Sequence, residues 1–431
     1  MDGGRRKCGY IMRKFIKANR EKAFHLFIYL GGSIIPMVIS IAVNPLVALN
    51  MSPDDYAIVG YYTAFNPLFM PLINFYLIHY YTKKFFELEP DDRIHLKASL
   101  FQILIYFSIA MSIVIVGILF LYHFYINEGS EIKFFPYGVL SIMSMPLLGV
   151  FSLMLAEYRM ERRSVAFFGL SLAHGILSII LTIFLVIIYK KGAFGKLLAI
   201  FIGNLIVFVY CILKNKEFLS RKYDKKILRN ALIFSLPLVL AAMLSFFSSG
   251  FDKIILERFG TVQELGFYVV GVQIAGFLTV FSTSIDNTFQ PDIFKSVVDK
   301  DYRKCFKVIV IKIGLLTTII TVFIFSAPWL VSVLTAKRYE ASTPFAIILS
   351  LSAITSMIYH SFSQVTIALG LTKITLLNKI GGSIVCIILF IYFIKHWGAL
   401  GAAWAVVGSF IIYFLGNVML VVLSKRLRIL I

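Results

Sequence analysis

Apolar stretches long enough to cross a bilayer follow one another through this chain almost without interruption. Twelve are placed near residues 24–47, 56–82, 97–122, 135–157, 164–189, 194–214, 230–249, 266–289, 307–334, 343–370, 374–394 and 401–424. A spanning helix needs roughly 20 mostly apolar residues, because the hydrocarbon core is about 30 Å thick and each residue rises about 1.5 Å. The chain is 59% hydrophobic with a mean hydropathy of +0.87, well outside the range of a soluble protein of 431 residues. The pattern predicts an all-α polytopic membrane protein with twelve transmembrane helices.

Placing the N-terminus in the cytoplasm sorts the charges. Nine of the 42 Lys and Arg then face outward, with eight of the 22 Asp and Glu, which leaves 33 basic and 14 acidic residues on the inner side. This is the positive-inside rule, and the even span number returns the C-terminus to the cytoplasm. Lys190, Lys191 and Lys196 break the trend by lying outside. The net charge of +20 invites a nucleic-acid partner, but the charges are scattered over short loops between spans, so none is expected. The basic first 22 residues precede an apolar segment too long for a signal core, so no cleavable signal peptide is predicted. Residues 10–18 are predicted to lie as an interfacial helix. The four cysteines (Cys8, Cys211, Cys305, Cys386) map to cytoplasmic ends or spans and are read as free thiols.

The longest basic loop, 215–229, divides the chain midway. It gives a cytoplasmic segment 1–23, an N-lobe 24–214 (spans 1–6), the linker 215–229, a C-lobe 230–424 (spans 7–12) and a tail 425–431. Six spans in each half keep both halves in the same orientation. Repeats would then be related by a pseudo-two-fold axis along the membrane normal. Ile35-Pro36 in span 1 matches Leu236-Pro237 in span 7. Acidic outer loops follow, closing with Val59-Gly60-Tyr61-Tyr62 and Leu265-Gly266-Phe267-Tyr268. Prolines 36, 45, 67, 71, 237 and 291 mark spans 1, 2, 7 and 8 as mobile or cavity-lining helices, unless they reflect only the commonness of proline in membrane helices. Span 8 is predicted to end at Pro291.

Charged and polar residues inside the spans are the candidate site. Asp286 lies in the polar run Ser282–Gln290 of span 8, and Lys312 more than a turn inside span 9. Either each reaches the headgroups alone, or the two pair at similar depth and face a cavity. Arg159, with Arg162 and Arg163, closes span 4 as a cytoplasmic anchor or as a contact to a substrate phosphate, whose oxygens match the guanidinium fork. Lys253, beside Asp252 at the outer end of span 7, suits similar work there. For His174 and His360 a hydrogen-bonded packing role competes with proton carriage. The amides Asn44, Asn66, Asn74, Gln102, Asn204, Gln273, Gln364, Asn378 and Asn417 are too many for lipid-facing helices, and face partner helices or a wet cavity. The chain has no Walker A loop, HExxH, CxxC or GxSxG, so no catalysis, metal or bound cofactor is expected. A polar-lined polytopic chain with a pseudo-repeat is by default a secondary transporter or flippase.

The layout, together with Asp252-Lys253…Glu257-Arg258-Phe-Gly260…Leu265-Gly266-Phe267-Tyr268 and Lys337-Arg338-Tyr339 after span 9, resembles the polysaccharide-transporter branch of the multidrug/oligosaccharidyl-lipid/polysaccharide (MOP) exporter superfamily, most of all its O-antigen flippases of the Wzx type. The resemblance implies a V-shaped bundle of two six-helix lobes around a central cavity, in the bacterial inner membrane. It implies a substrate of undecaprenyl-diphosphate-linked glycan, moved to the outer leaflet by alternating access and coupled to an H+ or Na+ gradient. The polymerase and chain-length proteins of such a pathway are implied partners. A drug/ion antiporter of the same superfamily shares the architecture but is expected to favour acidic cavity residues. A lipid II flippase usually has fourteen spans. An O-antigen polymerase is expected to carry a long outer loop with arginines, and the chain has none.

Overall fold

The computed structural model describes residues 34–220 and 224–427, together with Ile28, Gly31 and Gly32. The predicted segment 1–23, the interfacial helix, most of 24–33, Cys8, linker residues 221–223 and the last four residues lie outside the described residues. Every described element is helical, with no strand among them.

The first half contains α1 (Ile34–Asn50), then α2 (Pro53–Ala64), α3 (Asn66–Asn74), α4 (Leu77–Lys84), α5 (Pro90–Tyr125), α6 (Tyr137–Ser144), α7 (Leu147–Met160), α8 (Ser164–Thr182) and α9 (Gly192–Lys214). The second contains α10 (Lys225–Met243), α11 (Phe246–Ser249), α12 (Phe251–Phe259), α13 (Val262–Gly276), α14 (Leu278–Val298), α15 (Tyr302–Leu334), α16 (Thr343–Ala368) and α17 (Thr372–Leu427). Nine helical stretches among the described residues are long and apolar enough to cross a membrane, the last being Lys373–Ser424. That stretch covers two predicted spans. It turns at Gly398, whose φ of 53° is free of strain only without a Cβ.

Several predicted boundaries are corrected. Predicted span 2 is three helices, broken at Phe65 and again at Phe75 and Tyr76, both left-handed (φ 46° and 52°). Such residues cost roughly 1–2 kcal/mol each; ring contacts offset this, Phe75 on Phe107 at 5.7 Å and Tyr76 on His79 at 4.8 Å. Helix α14 runs through Pro291 to Val298 rather than stopping there. The repeat register also differs. A capping box starts α2, Ser52 with Asp55, and another starts α13, Thr261 with Glu264. Gly60 and Gly266 sit eight and five residues after their caps, so the matched tetrapeptides occupy different turns.

The packing is continuous at one end and divided at the other. At the end carrying 48–55, 250–265 and 335–342, predicted to face outward, one core joins both halves through Tyr61, Met145, Tyr268, Ile320 and Phe390. Toward the other end the core divides. One part holds Tyr81, Leu100, Leu153 and Phe208 of the first half, and the other holds Ile293, Val297, Cys305 and Ile309 of the second. The start of span 7 crosses the predicted lobe boundary. Ala231 is buried in the first-half core, and Phe234 stacks on Tyr80 at 5.6 Å.

Candidate functional site

The shared end is sealed by a ring of contacts between the halves. Tyr339 donates from its hydroxyl to the Met51 carbonyl at 2.6 Å, and Arg338 donates to the Leu49 carbonyl at 2.5 Å. Asn44 Nδ2 donates to the Leu334 carbonyl at 2.8 Å while its Oδ1 accepts from Gln273 at 2.8 Å. Glu257 accepts from Asn127 at 3.0 Å and, at closer range, from Ser130. Gly266 lets α13 touch the start of α2, since a Cβ there would stand 2.0 Å from the Pro53 carbonyl oxygen. At the other end no hydrogen bond or ion pair joins α1 to α14 among the described residues.

Below the seal lies a polar cavity of about 510 Å³ in the second half, lined among others by Asp252, Lys253, Ser282, Asp286 and His360. Four residues singled out from sequence therefore share one cavity. Helix α14 supplies its wet wall. Thr283, Ser284 and Thr288 satisfy their hydroxyls on carbonyls one turn back, as polar residues in a membrane helix must. The Asp286–Lys312 pair forms. Lys312 Nζ lies 2.6 Å from Asp286 Oδ1, and Gln364 donates to Oδ2 at 2.8 Å. Lys312 has no exposed surface, whereas the Asp286 side chain keeps 27% of its own, so the carboxylate is the member that meets the cavity.

Lys253 and Asp252 are buried, with Lys253 Nζ 3.4 Å from both Asp252 oxygens and Tyr268 donating to Asp252 at 2.6 Å. Lys253 also lines a second cavity of about 290 Å³ between the halves, with Asn44, Lys196 and Gln273. A third, of about 640 Å³, is lined by Asn66, Tyr76, His79, Asn204 and Lys379.

The other candidates stand apart. Arg159 is exposed at the end of α7, its guanidinium 5.8 Å from the Phe167 ring centre. His174 shares a 2.9 Å hydrogen bond with Asn204 and packs on Phe151. Asn74 is buried against Ser108 at 3.5 Å. Asn378 and Asn417 tie helices together, through Tyr413 and Thr366. Sequence reasoning missed two groups. Lys97 is buried in an ion pair with Glu157 at 2.6 Å and bonds Asn215 at 3.0 Å, which ties the linker to α5 and α7. Lys196, noted only as an exception to the charge rule, proves to line the cavity between the halves.

A family profile described as "Polysaccharide biosynthesis protein" matches residues 50–344, more than half of the chain. The chain belongs to the polysaccharide biosynthesis protein family. A protein of the Lsg locus of Haemophilus influenzae is 24% identical over 286 residues, 63% of this chain and 66% of its own length, so the match spans just under two thirds of that relative. Among solved structures, an inward-facing multidrug-resistance transporter of the MATE family in the MOP superfamily superposes with a TM-score of 0.69 at 13% identity, covering 93% of this chain and 99% of that one. The lipid II flippase MurJ in an inward closed conformation gives 0.70 at 16%, covering 92% and 87%. At these identities the likeness establishes the fold: this family member is a multi-pass helical membrane protein that shares the helical architecture of those two structures.

Proposed function

We propose that this polysaccharide biosynthesis protein is a flippase. It carries a lipid-linked oligosaccharide, of the undecaprenyl-diphosphate O-antigen kind, from the inner to the outer leaflet of the bacterial cytoplasmic membrane. Twelve crossings in two six-helix lobes, both termini inside, alternate in access around the cavity, coupled to an H+ or Na+ gradient. The observation that carries this reading is a polar cavity sealed at one end by contacts between the halves, with separate cores at the other. A charged sugar headgroup needs such a wet passage, and a polyprenyl tail can stay in lipid beside α1 and α14. Asp286 offers little to a cationic drug, because Lys312 already neutralises it.

The test is a strain lacking the chain, with its lipid-linked glycan tracked by leaflet. Loss of surface glycan, with accumulation on the cytoplasmic side, is expected. Normal surface glycan, together with extrusion of cationic dyes by proteoliposomes containing the protein, would instead establish the drug antiporter.

A further inference from the structure

The cavity between the halves is lined by two ammonium groups and by no carboxylate. Lys253 comes from α12 of the second half and is partly met by Asp252 at 3.4 Å. Lys196 comes from the first turns of α9 in the first half and makes no hydrogen bond or ion pair with any described residue. The neutral side chains around it can offer an ammonium group acceptor oxygens but no counter-charge. Gln273 donates to Asn44, Thr63 to the Val59 carbonyl and Thr182 to the Ser178 carbonyl. An ammonium group that lines a cavity between the helices of a membrane protein is costly without a counter-charge. The two lysines with Asp252 sum to one excess positive charge at the sealed end of the passage.

We infer that Lys196 and Lys253 form a binding site for a phosphate-type anion, a diphosphate above all, which bridges the two halves beneath the seal. Only the source of that anion, a lipid-linked headgroup or a free ion, rests on the flippase reading. The lysines approach from opposite halves, so a bound dianion would attract both and favour the sealed arrangement, then release them when it leaves.

The experiment uses the full chain in nanodiscs of zwitterionic lipid, with sodium pyrophosphate, farnesyl diphosphate and farnesol as probes. Both diphosphates are expected to bind and raise the unfolding temperature, and farnesol to do neither. Lys196→Gln should weaken binding at least tenfold, Lys196→Arg should largely keep it, and Lys190→Gln, an exposed lysine outside the cavity, should match the wild type. In the unmodified protein, pyrophosphate should protect Lys196 from an amine-acylating reagent read by mass spectrometry, a measurement that needs no variant to fold. Equal affinity for both diphosphates marks the anion itself as the ligand, and much tighter farnesyl diphosphate marks a lipid-linked one. Wild-type affinity in Lys196→Gln, or no protection of Lys196, overturns the site and leaves the flippase reading standing. Lysine-dependent binding in a protein that moves no lipid-linked glycan overturns the flippase reading and leaves the site standing.

Discussion

Lys312 Nζ lies 2.6 Å from Asp286 Oδ1, yet the two side chains stand in different surroundings: the ammonium is wholly enclosed and the carboxylate keeps one edge in the cavity. The pair is therefore both a structural tie between α14 and α15 and a charged feature of the cavity wall.

Removing one member leaves the other uncompensated, at a cost of about 3 kcal/mol, the lower end for a buried pair because Asp286 is partly open. Lys312→Met and Asp286→Leu should each lower thermal stability in detergent, and the double variant should recover most of the loss. If the carboxylate also serves transport, the recovered double variant stays inactive in a surface-glycan assay. A double variant as unstable as Lys312→Met would remove the pair from both roles.

That pairing was legible in the sequence because depth follows from counting residues along a helix, and two opposite charges at one depth on consecutive spans have few other solutions. The spans were legible for the same reason, since hydropathy reports burial in lipid directly. The break at Phe75 and Tyr76 was not, because it depends on rings contributed by Phe107 and His79. Nor was Lys196, whose place in the outer loop count looked like an ordinary exception until α9 was packed against α2 and α8, with Lys196 on the cavity between the halves. The Glu257–Asn127 contact joins α12 to the loop after α5, 130 residues away, and no local pattern says which segments meet.

At Gly266 α13 lies against the start of α2 with no room for a Cβ. Gly266→Val drives a Cβ into the Pro53 backbone carbonyl, a clash that no side-chain rotation can relieve, so the outer seal should loosen. A cysteine at Thr63, which lines the cavity beneath the seal, should then be labelled faster from outside by a membrane-impermeant thiol reagent. Unchanged labelling would show that the seal does not depend on this contact.

Tyr339 makes the seal sensitive to alkali. Burial pushes its phenol up to about 12, Arg338 opposing and the carboxylates of Asp55 and Asp54 adding to the rise. A folded value above the unfolded one, near 10, means its contribution is complete below pH 10 and is lost as pH rises from there toward 12. Labelling at Thr63→Cys, divided at each pH by that of a free cysteine so that the thiolate's own ionisation at about pH 8.5 cancels, should stay flat to about pH 10 and climb above it. Tyr339→Phe, which loses the bond to the Met51 carbonyl worth about 1 kcal/mol, should show faster labelling at every pH and no alkaline step of that origin.

Glu257 offers the most direct test of whether the halves must part at this end. Its carboxylate is buried and takes hydrogen bonds from two donors of the opposite half, Asn127 and Ser130. Glu257→Gln keeps the shape but turns one acceptor oxygen into a donor, so one of those partners faces a donor and the charge assistance to both bonds is lost. A weakening of the seal by about 1–3 kcal/mol follows. In an alternating-access carrier the sealed arrangement would become less populated, and outside labelling of Thr63→Cys should rise about fivefold or more. Asn127→Asp, which sets two carboxylates against each other, should open the seal further still. Labelling at the wild-type rate in both variants would mean that this contact decorates a permanently closed face and that access does not alternate there.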